Sequence, residues 1–321
     1  MTAIELAILW LSWRQPSILS SRDNQATPCS RGLTLLALKW CGETAWVAEP
    51  ERTRMLELYH HGSSVCAAKV RLALDEKGLE WQGHYVDVLK GDQFSKDYLK
   101  INPKALVPAL KHNGKIVTES TLICEYLDEV FPDIPLKPVS AFEKVQMRLW
   151  TKAVDEVIHP ICGEITFASC HRHIVRRLPP DDLQRFLAST PSLSVTPEWH
   201  DRKKELVNKG FDAPGIDVKF RIYDGYLQKM EETLAERRWL AGDTFSLADI
   251  GMVPYVNRLA MMSMSDMWEK SRPRVTQWFE TVKSRPSFHS ALIKWCPEDL
   301  TNDLREFGAQ SWPEVKRMLR K

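Results

Sequence analysis

The alternation of apolar and polar side chains becomes regular at Met55. The stretch MLELYHH, residues 55–61, alternates with a period of two and predicts a strand. In SVCAAKVRLALDEKG, residues 64–78, apolar side chains recur on one helical face and Gly78 is a natural stop, so a helix is predicted. The stretch WQGHYVDV, residues 81–88, predicts a second strand.

Three further patterns complete a unit with the element order βαβ, α, ββα. The stretch QFSKDYLKINP, residues 93–103, predicts a short helix that a proline closes. The strands predicted in LVPALKH and KIVTES flank His112-Asn113-Gly114, and an Asn-Gly pair is a strong signal for a two-residue hairpin. The stretch STLICEYLDEVF, residues 120–131, predicts a helix. The unit has about 80 residues, a size that folds as one domain.

A proline-rich stretch separates this unit from a second half in which every pattern is helical. The predicted domains are an α/β domain at 55–132, a linker at 133–142, an all-helical domain at 143–300 and a C-terminal tail at 301–321. Within the helical half, FSLADI at 245–250 carries the signals of a helix start. Ser246 is a good N-cap and Asp249 can reach back to its amide, while Phe245 and Ile250 occupy the positions of a hydrophobic staple. We expect the helix that follows to be buried and central.

Residues 1–54 show no sustained period, and we expect them to lie outside the functional fold. They are interpreted as an over-extended start with Met55 as the working initiator, or alternatively as a targeting or anchoring segment. The run AIELAILWLSW, residues 3–13, is shorter than the roughly 20 apolar residues that span a bilayer. It also lacks the basic region of a secretory signal, so no membrane partner is predicted.

Composition and charge narrow the classes of function. The chain is 44% hydrophobic and 27% charged, with a net charge of only +2, so no basic field indicates nucleic acid. Seven scattered cysteines indicate a reducing, cytoplasmic compartment rather than a disulfide framework. Cys170, His171 and His173 are metal-like by type, but a tight cluster with no further ligand at proper spacing is a poor zinc site. No metal is predicted. The methionines of 260–268 are interpreted as core residues, with a flexible pocket lining as the alternative.

Two short motifs in the α/β unit carry candidate chemistry. Pro108 precedes a strand, where a cis peptide bond would turn the amide and carbonyl of Val107 toward a ligand. The alternative is an ordinary edge-strand proline. Glu119 and Ser120 stand at a helix start, where free amides bind anions. Either residue alone could serve only as a cap or complement the helix dipole. An acid, a hydroxyl and free amides together suit the carboxylate and ammonium of an amino-acid head group.

These features together resemble the glutathione S-transferase superfamily. The stretches INPKALVPAL, TESTLICEYLDEVFP and WLAGDTFSLADI match it in the right order, and the resemblance covers residues 55 to about 292. Within the superfamily, residues 107–132 are most similar to bacterial glutathione-dependent lignin β-etherases, and less so to glutathione-dependent dehalogenases and the zeta-like group. The resemblance implies a thioredoxin-like N-terminal domain that binds glutathione and an all-helical C-terminal domain that binds the electrophile.

The resemblance also implies the residues of the site. In serine-type members the catalytic serine matches Ser64, whose hydroxyl would donate to the glutathione sulfur while the helix N-terminus favours the thiolate. The alternative role of Ser64 is that of a helix cap alone, and Ser63 has the second claim to the sulfur contact. Members of the superfamily often carry Gln or Lys where this chain has Leu106. The glutathione-binding residues expected here are Ser63, Gln93, Lys104, Val107, Pro108, Glu119 and Ser120, with Lys104 or Gln93 replacing the missing polar contact.

Four other side chains lie near the end of the predicted strand. In cysteine-type members the reactive cysteine matches Ser64, and Cys66 lies two residues further on, so Cys66 is interpreted as a packed residue rather than a rival nucleophile. Tyr59 alternates within the strand and is interpreted as structural. His60 and His61 could contact a ligand at the end of the strand.

The expected protein is a cytoplasmic, homodimeric glutathione transferase with glutathione as co-substrate. It would attack a small, apolar and aromatic electrophile, by β-aryl ether cleavage or by general conjugation. A glutathione-dependent reductive dehalogenase or isomerase is the alternative of the same class. A non-catalytic module of this fold that binds ligands or protein partners is the alternative of another class.

Overall fold

The computed structural model describes residues 55–88, 90–188 and 199–320. All of them belong to one compact unit of the chain. The expectations for residues 1–54 therefore lie outside the described residues. No helix within the described ranges is both long and apolar enough to cross a bilayer.

The sheet has the four strands that the sequence predicts, in the order β2-β1-β3-β4. Strands β1 (Leu56–His60) and β2 (Trp81–Tyr85) are parallel, and β1 pairs antiparallel with β3 (Ala109–His112). Strand β4 (Lys115–Thr118) completes the hairpin with β3. Its turn residues Asn113 and Gly114 have φ angles of 53° and 76°, as a two-residue primed turn requires.

Three helices accompany the sheet. Helix α1 (Val65–Glu76) is the crossover between the parallel strands, α2 (Lys96–Ile101) precedes β3, and α3 (Ser120–Val130) follows β4. Helix α1 packs on α3 and also on a helix of the second half. The first turn of α1 thus lies where the α/β and helical parts meet.

The second half of the described chain is helical throughout. A continuous helical segment runs over 141–175, in which π-helical turns at Val154–Ile158 and Phe167–His171 separate α-helical parts. The remaining elements follow in chain order. They are α4 (Ala141–Ala153), α5 (His159–Thr166), α6 (Arg172–Val175), α7 (Pro180–Ala188), α8 (Trp199–Lys209), α9 (Ile216–Glu236), α10 (Leu247–Met261), α11 (Pro273–Lys283), α12 (Pro286–Phe288) and α13 (Glu298–Leu319), with a π-helical turn at His289–Ile293.

Helix α10 begins as the sequence predicts. The Ser246 hydroxyl accepts a hydrogen bond from the first turn, and Asp249 accepts one from the Ser246 amide, so the capping box is formed. Every residue from Leu247 to Leu259 is buried, which confirms that this helix is central. It carries Tyr255, Asn257 and Arg258 to the first turn of α1.

The prediction of a C-terminal tail at 301–321 is wrong. Residues 301–319 belong to helix α13, which packs on α9 and α10. The side chains of Leu304 and Val315 are fully buried. Leu300, Leu304 and Phe307 recur at a spacing of three to four residues, which is the helical period that marks a buried face.

Candidate functional site

The junction between β1 and α1 places Ser64 at the N-cap of α1. Its backbone is extended, with φ −70° and ψ 117°, and its Oγ accepts a hydrogen bond from the Ala67 amide at 3.2 Å. A hydroxyl has one donor and two acceptor positions, so the cap leaves the Ser64 hydrogen available to donate. Capping and donation to a sulfur are therefore compatible roles for this residue.

Ser63 is held by a different set of contacts. Its Oγ lies 3.1 Å from Nδ1 of His61, and its carbonyl accepts a hydrogen bond from the Arg258 guanidinium. His61 is only 2% exposed, and burial lowers the pKa of its imidazole to about 4, so the ring is neutral near pH 7. A neutral ring can accept from the Ser63 hydroxyl. His61 thus contacts Ser63 from inside the protein rather than from the ligand side.

His60 is fully buried and packs edge-on against Trp81, Tyr85 and Trp295. Burial lowers the pKa of His60 to about 3. A buried neutral ring among aromatic side chains is a packing residue. Tyr59, interpreted from the sequence as structural, stacks on His84 with ring centroids 4.5 Å apart.

A recess with an empty volume of about 290 Å³ opens beside the two serines. Its walls combine Ser63, Ser64 and Arg71 with Asn257, Arg258 and Met261 of α10, and with Cys296. Arg258 is 5% exposed, and its Nε has no hydrogen-bond partner among the described residues. Two arginines therefore add positive potential to the N-terminal end of α1, where an anion is already favoured.

The loop before β3 has the expected cis peptide bond between Val107 and Pro108. The carbonyl of Leu106 accepts hydrogen bonds from the Tyr98 hydroxyl at 2.6 Å and from the Asn102 amide at 2.8 Å. These two contacts fix the chain just before the proline. The Leu106 side chain itself is 38% exposed and apolar.

Glu119 and Lys104 come together at the start of α3. Lys104 Nζ lies 2.8 Å from Glu119 Oε1, and both side chains are about half exposed. Glu119 has φ 66°, which is rare for a residue other than glycine and recurs at ligand-binding positions. The backbone therefore holds this acid at the helix N-terminus beside a cation. An ammonium and carboxylates are the groups that such a pair can bind.

The amide group of Gln93 is turned into the protein. Its Nε2 donates to the Val88 carbonyl at 3.2 Å, and its Oε1 has no partner among the described residues. The side chain is only 9% exposed. Of the two residues expected to replace the missing polar contact at Leu106, Lys104 is thus the one beside Glu119.

Cys66 contacts Ser120 and not only core residues. Its thiol is half-buried and hydrogen-bonds to the Ser120 side chain, and it lies against His159 and Tyr255 of the helical part. Nothing in the sequence indicates a site role for His159 or Tyr255. His159 is 93 positions away from Cys66, and no local spacing links a lone histidine in a helix to a cysteine at that distance.

The metal-like cluster of Cys170, His171 and His173 is dispersed by the fold. The Cys170 thiol contacts the Leu304 carbonyl at 3.6 Å, and His173 stacks on Phe307 at 4.7 Å. Within 55–88, 90–188 and 199–320, no group of three His, Cys, Asp or Glu side chains has a metal-binding arrangement.

Met262 and Met264 are fully buried, whereas Met261 lines the recess.

Known proteins similar to this chain share both of its parts. Residues 63–130 match the family model of the glutathione S-transferase N-terminal domain, and residues 196–286 match that of the C-terminal domain. Protein LigF of Sphingobium sp. strain SYK-6 is 33% identical over 250 residues, which cover 76% of this chain and 96% of LigF. A tetrachloro-p-hydroquinone reductive dehalogenase of Sphingobium chlorophenolicum is 28% identical, over 74% of this chain and 96% of the dehalogenase. The crystal structure of the beta-etherase LigF superposes with a TM-score of 0.67 at 32% identity, and covers 75% of this chain and 100% of that structure.

Proposed function

We propose that the electrophile of this chain is an aromatic ether. The chain belongs to the glutathione S-transferase family and takes glutathione as co-substrate. The observation that supports this substrate class is the similarity to LigF, a beta-etherase, which extends over 96% of that protein's length. The recess beside the serines has apolar walls from Val65, Pro254 and Met261, which suit an aromatic ring.

In the proposed reaction, the α/β part binds glutathione and activates its thiol. Glu119 pairs with the ammonium of the γ-glutamyl group, and Lys104 pairs with a carboxylate of glutathione. The Ser120 hydroxyl and the free amides of α3 bind the carboxylate of the γ-glutamyl group. The backbone of Val107 beside Pro108 receives the peptide part of glutathione. The Ser64 hydroxyl donates to the sulfur. The thiolate then attacks the carbon that bears the aryloxy group, the C–O bond breaks, and the phenolate leaves and takes a proton.

Reductive dehalogenation is the second candidate of the same class. The similarity to the reductive dehalogenase favours it, although the identity is lower than with LigF. A panel of β-aryl ethers, haloaromatics and maleyl acids with glutathione separates the candidates. Phenol release from the ethers is the expected result, and halide release alone would contradict the ether assignment. Failure to turn over any of them, or a chlorinated nitrobenzene, would instead favour the non-catalytic binding module.

We expect the protein to be a cytoplasmic homodimer. Phe142, Val145 and Leu149 form an apolar stripe on α4, at 64%, 53% and 51% exposure, and Leu122 of α3 is 57% exposed. Such a stripe is a typical contact with a second copy of the chain. Sedimentation at micromolar concentration should give twice the chain mass, and Val145→Asp with Leu149→Asp should reduce it to one. A monomer mass for the wild type would contradict the dimer.

Replacing Glu119 by alanine should weaken glutathione binding more than it slows the chemical step. The lost contact to an ammonium is charge-assisted and is worth about 1.5–3 kcal/mol, or roughly ten- to a hundredfold in affinity. Calorimetric titration with glutathione measures it. Glu129→Ala, which removes another exposed acid of α3, is the control and should bind normally. An unchanged dissociation constant in a folded Glu119→Ala protein would remove Glu119 from the site.

Replacing Ser64 by alanine should raise the pKa of the bound glutathione thiol by about one to two units, because a hydrogen bond to a charged group is worth roughly 1.5–3 kcal/mol. Turnover at neutral pH should fall, and part of the loss should return at higher pH, where the thiol ionises unaided. The thiolate absorbance of the glutathione complex against pH is the measurement. Ser63→Ala is the matched variant and should shift the curve much less. A shift with Ser63→Ala alone would assign the donor to Ser63, whose hydroxyl is oriented by His61.

A further inference from the structure

Cys66, His159 and Tyr255 form a connected cluster at the meeting of the two parts of the chain. Cys66 Sγ lies 3.5 Å from His159 Nδ1 and 3.8 Å from the Tyr255 hydroxyl, which itself lies 3.2 Å from His159 Nδ1. The three side chains come from α1, α5 and α10. A nucleophile, a base and a third group that orients the base are the components of an activated nucleophile.

The surroundings of this thiol favour its ionised form. Burial raises the pKa of Cys66, but the charge and hydrogen bond of His159, the charge of Lys69 and a hydrogen bond from Ser120 lower it by more, to about 6. The Cys66 thiolate in turn raises the pKa of His159, against the desolvation that nearby protein atoms impose on the ring. The two shifts reinforce each other, and both favour the thiolate beside a protonated imidazole over the neutral pair. Cys66 also lies in the first turn of a twelve-residue helix, whose amides stabilise an anion.

Three other cysteines among the described residues have a raised pKa, where that of Cys66 is lowered. Burial raises the pKa of Cys124 and of Cys170 to about 12, and it also raises that of Cys162. All three are buried, whereas Cys66 is half-buried and its partner His159 is exposed. Cys66 thus combines thiolate character with access, the two properties that make a cysteine reactive.

The neighbours of Cys66 point to the chemical class of its reaction partner. Its thiol contacts Ser120, which the proposed function assigns to the glutathione head group, so this inference rests on that assignment. We propose that Cys66 and His159 form a thiol–disulfide exchange centre that takes up glutathione from glutathione disulfide. This centre is distinct from the serine that activates the glutathione thiol for transfer, because it uses two side chains of the helical part.

The exchange balances without any further reactant. The Cys66 thiolate attacks one sulfur of glutathione disulfide, a new S–S bond joins Cys66 to glutathione, and the old S–S bond breaks. The released glutathione thiolate takes the proton of the His159 imidazolium and leaves as the thiol. Cys66 is oxidised to the mixed disulfide, and one half of the disulfide is reduced. A second glutathione thiolate can reverse the modification by attack on the glutathione sulfur, which releases the disulfide and restores Cys66.

Mass spectrometry of the intact full-length chain after incubation with glutathione disulfide tests the proposal. One glutathione adduct should form, be removed by a reducing agent and map to Cys66. Cys66→Ser should abolish it. Cys296→Ser, which removes another half-buried cysteine, is the matched control and should retain it. An adduct that persists in Cys66→Ser and disappears in Cys296→Ser would overturn the proposal, and so would the absence of any adduct.

The pH dependence of the rate tests the role of His159. The charged and hydrogen-bonding groups around the thiol come from α1, α3, the continuous helical segment 141–175 and α10. They are Lys69, Ser120, Asp155, His159 and Tyr255. In His159→Asn the thiol should ionise near its ordinary pKa of about 8.5. The thiolate fraction at pH 6 then falls by about a hundredfold, while the more basic thiolate is about tenfold more nucleophilic. Adduct formation should therefore slow by about tenfold at pH 6. At pH 9, where both thiols are largely ionised, the variant should instead react several-fold faster than the wild type. An unchanged profile would exclude His159 from the centre.

A disulfide without glutathione, hydroxyethyl disulfide, separates failure of this proposal from failure of the glutathione site. Faster reaction with glutathione disulfide, lost in Glu119→Ala, supports both. Equal rates with the two disulfides would leave the exchange centre intact and contradict the assignment of Ser120 and Glu119 to glutathione. No reaction with either disulfide, in a chain that still binds glutathione, would reject the exchange centre alone.

Discussion

Replacing Arg71 by methionine should lower the free energy of unfolding by about 3–5 kcal/mol, since it leaves several buried carbonyls without donors at about 1–3 kcal/mol each. Arg71 is fully buried, and its Nε donates to the Ala291 carbonyl at 2.6 Å. Its two other nitrogens donate to the carbonyls of His61 at 3.2 Å and Gly62 at 3.0 Å. Burial lowers the pKa of the guanidinium to about 10, so it remains charged near pH 7.

The position of these carbonyls makes Arg71 a positioning residue for the serine loop. His61 and Gly62 immediately precede Ser63 and Ser64, and Ala291 belongs to the turn that leads to Trp295. A Cβ on Gly62 would lie 1.9 Å from the Trp295 carbonyl oxygen, so the C-terminal segment is packed directly on the loop. Arg71 thus joins the end of β1, the first turn of α1 and this distant segment.

Chemical unfolding, followed by tryptophan fluorescence, measures the loss in Arg71→Met. Arg71→Lys keeps the charge but cannot reach three carbonyls at once, so its stability should lie between those of Arg71→Met and the wild type. Arg317→Met, at an exposed arginine of α13, should leave the transition where it is. A midpoint of Arg71→Met equal to that of the wild type would show that water or a local shift satisfies the carbonyls.

Residues that follow local rules were predictable from the sequence. The βαβ-α-ββα order follows from periodicity, and the Asn113-Gly114 turn and the Ser246–Asp249 capping box follow from local hydrogen-bonding and φ preferences. The fold implied by the resemblance, a thioredoxin-like domain followed by a helical domain, is confirmed, as is membership of the glutathione S-transferase family. These signals lie within short windows of sequence, where neighbouring residues decide the outcome.

Contacts between distant segments were not predictable in this way. The sequence predicts a packed role for Cys66 because the reactive cysteine of cysteine-type members matches Ser64 and not Cys66. Its contacts with His159 and Tyr255 come from α5 and α10, through the packing of the helical part on α1. The unusual φ of Glu119 and its pairing with Lys104 also depend on how β4 and α3 are placed. The assignment of Ser64 as the sulfur donor stays a prediction.

Replacing Asp249 by alanine should lower the free energy of unfolding by about 3–5 kcal/mol. The carboxylate satisfies donors from three segments, and each buried donor left unpaired costs about 1–3 kcal/mol. Asp249 Oδ1 accepts from the Leu240 amide at 3.1 Å and from Trp278 Nε1 at 2.9 Å. Its Oδ2 accepts from the amide of Ser246 at 3.1 Å and from that residue's hydroxyl at 3.2 Å. The side chain is fully buried, so water cannot replace these contacts.

The same substitution should also disturb the site, because α10 starts at this cap and carries Tyr255 and Arg258 to the first turn of α1. Asp249→Asn retains one acceptor oxygen and should lose less stability than Asp249→Ala, whereas Asp243→Ala on the exposed turn before the cap should lose almost none. Unfolding by urea, with circular dichroism and glutathione binding measured on the same samples, compares the three. If Asp249→Ala unfolded at the wild-type midpoint, the donors of Leu240 and Trp278 would have found other acceptors and the cap would not control the position of α10.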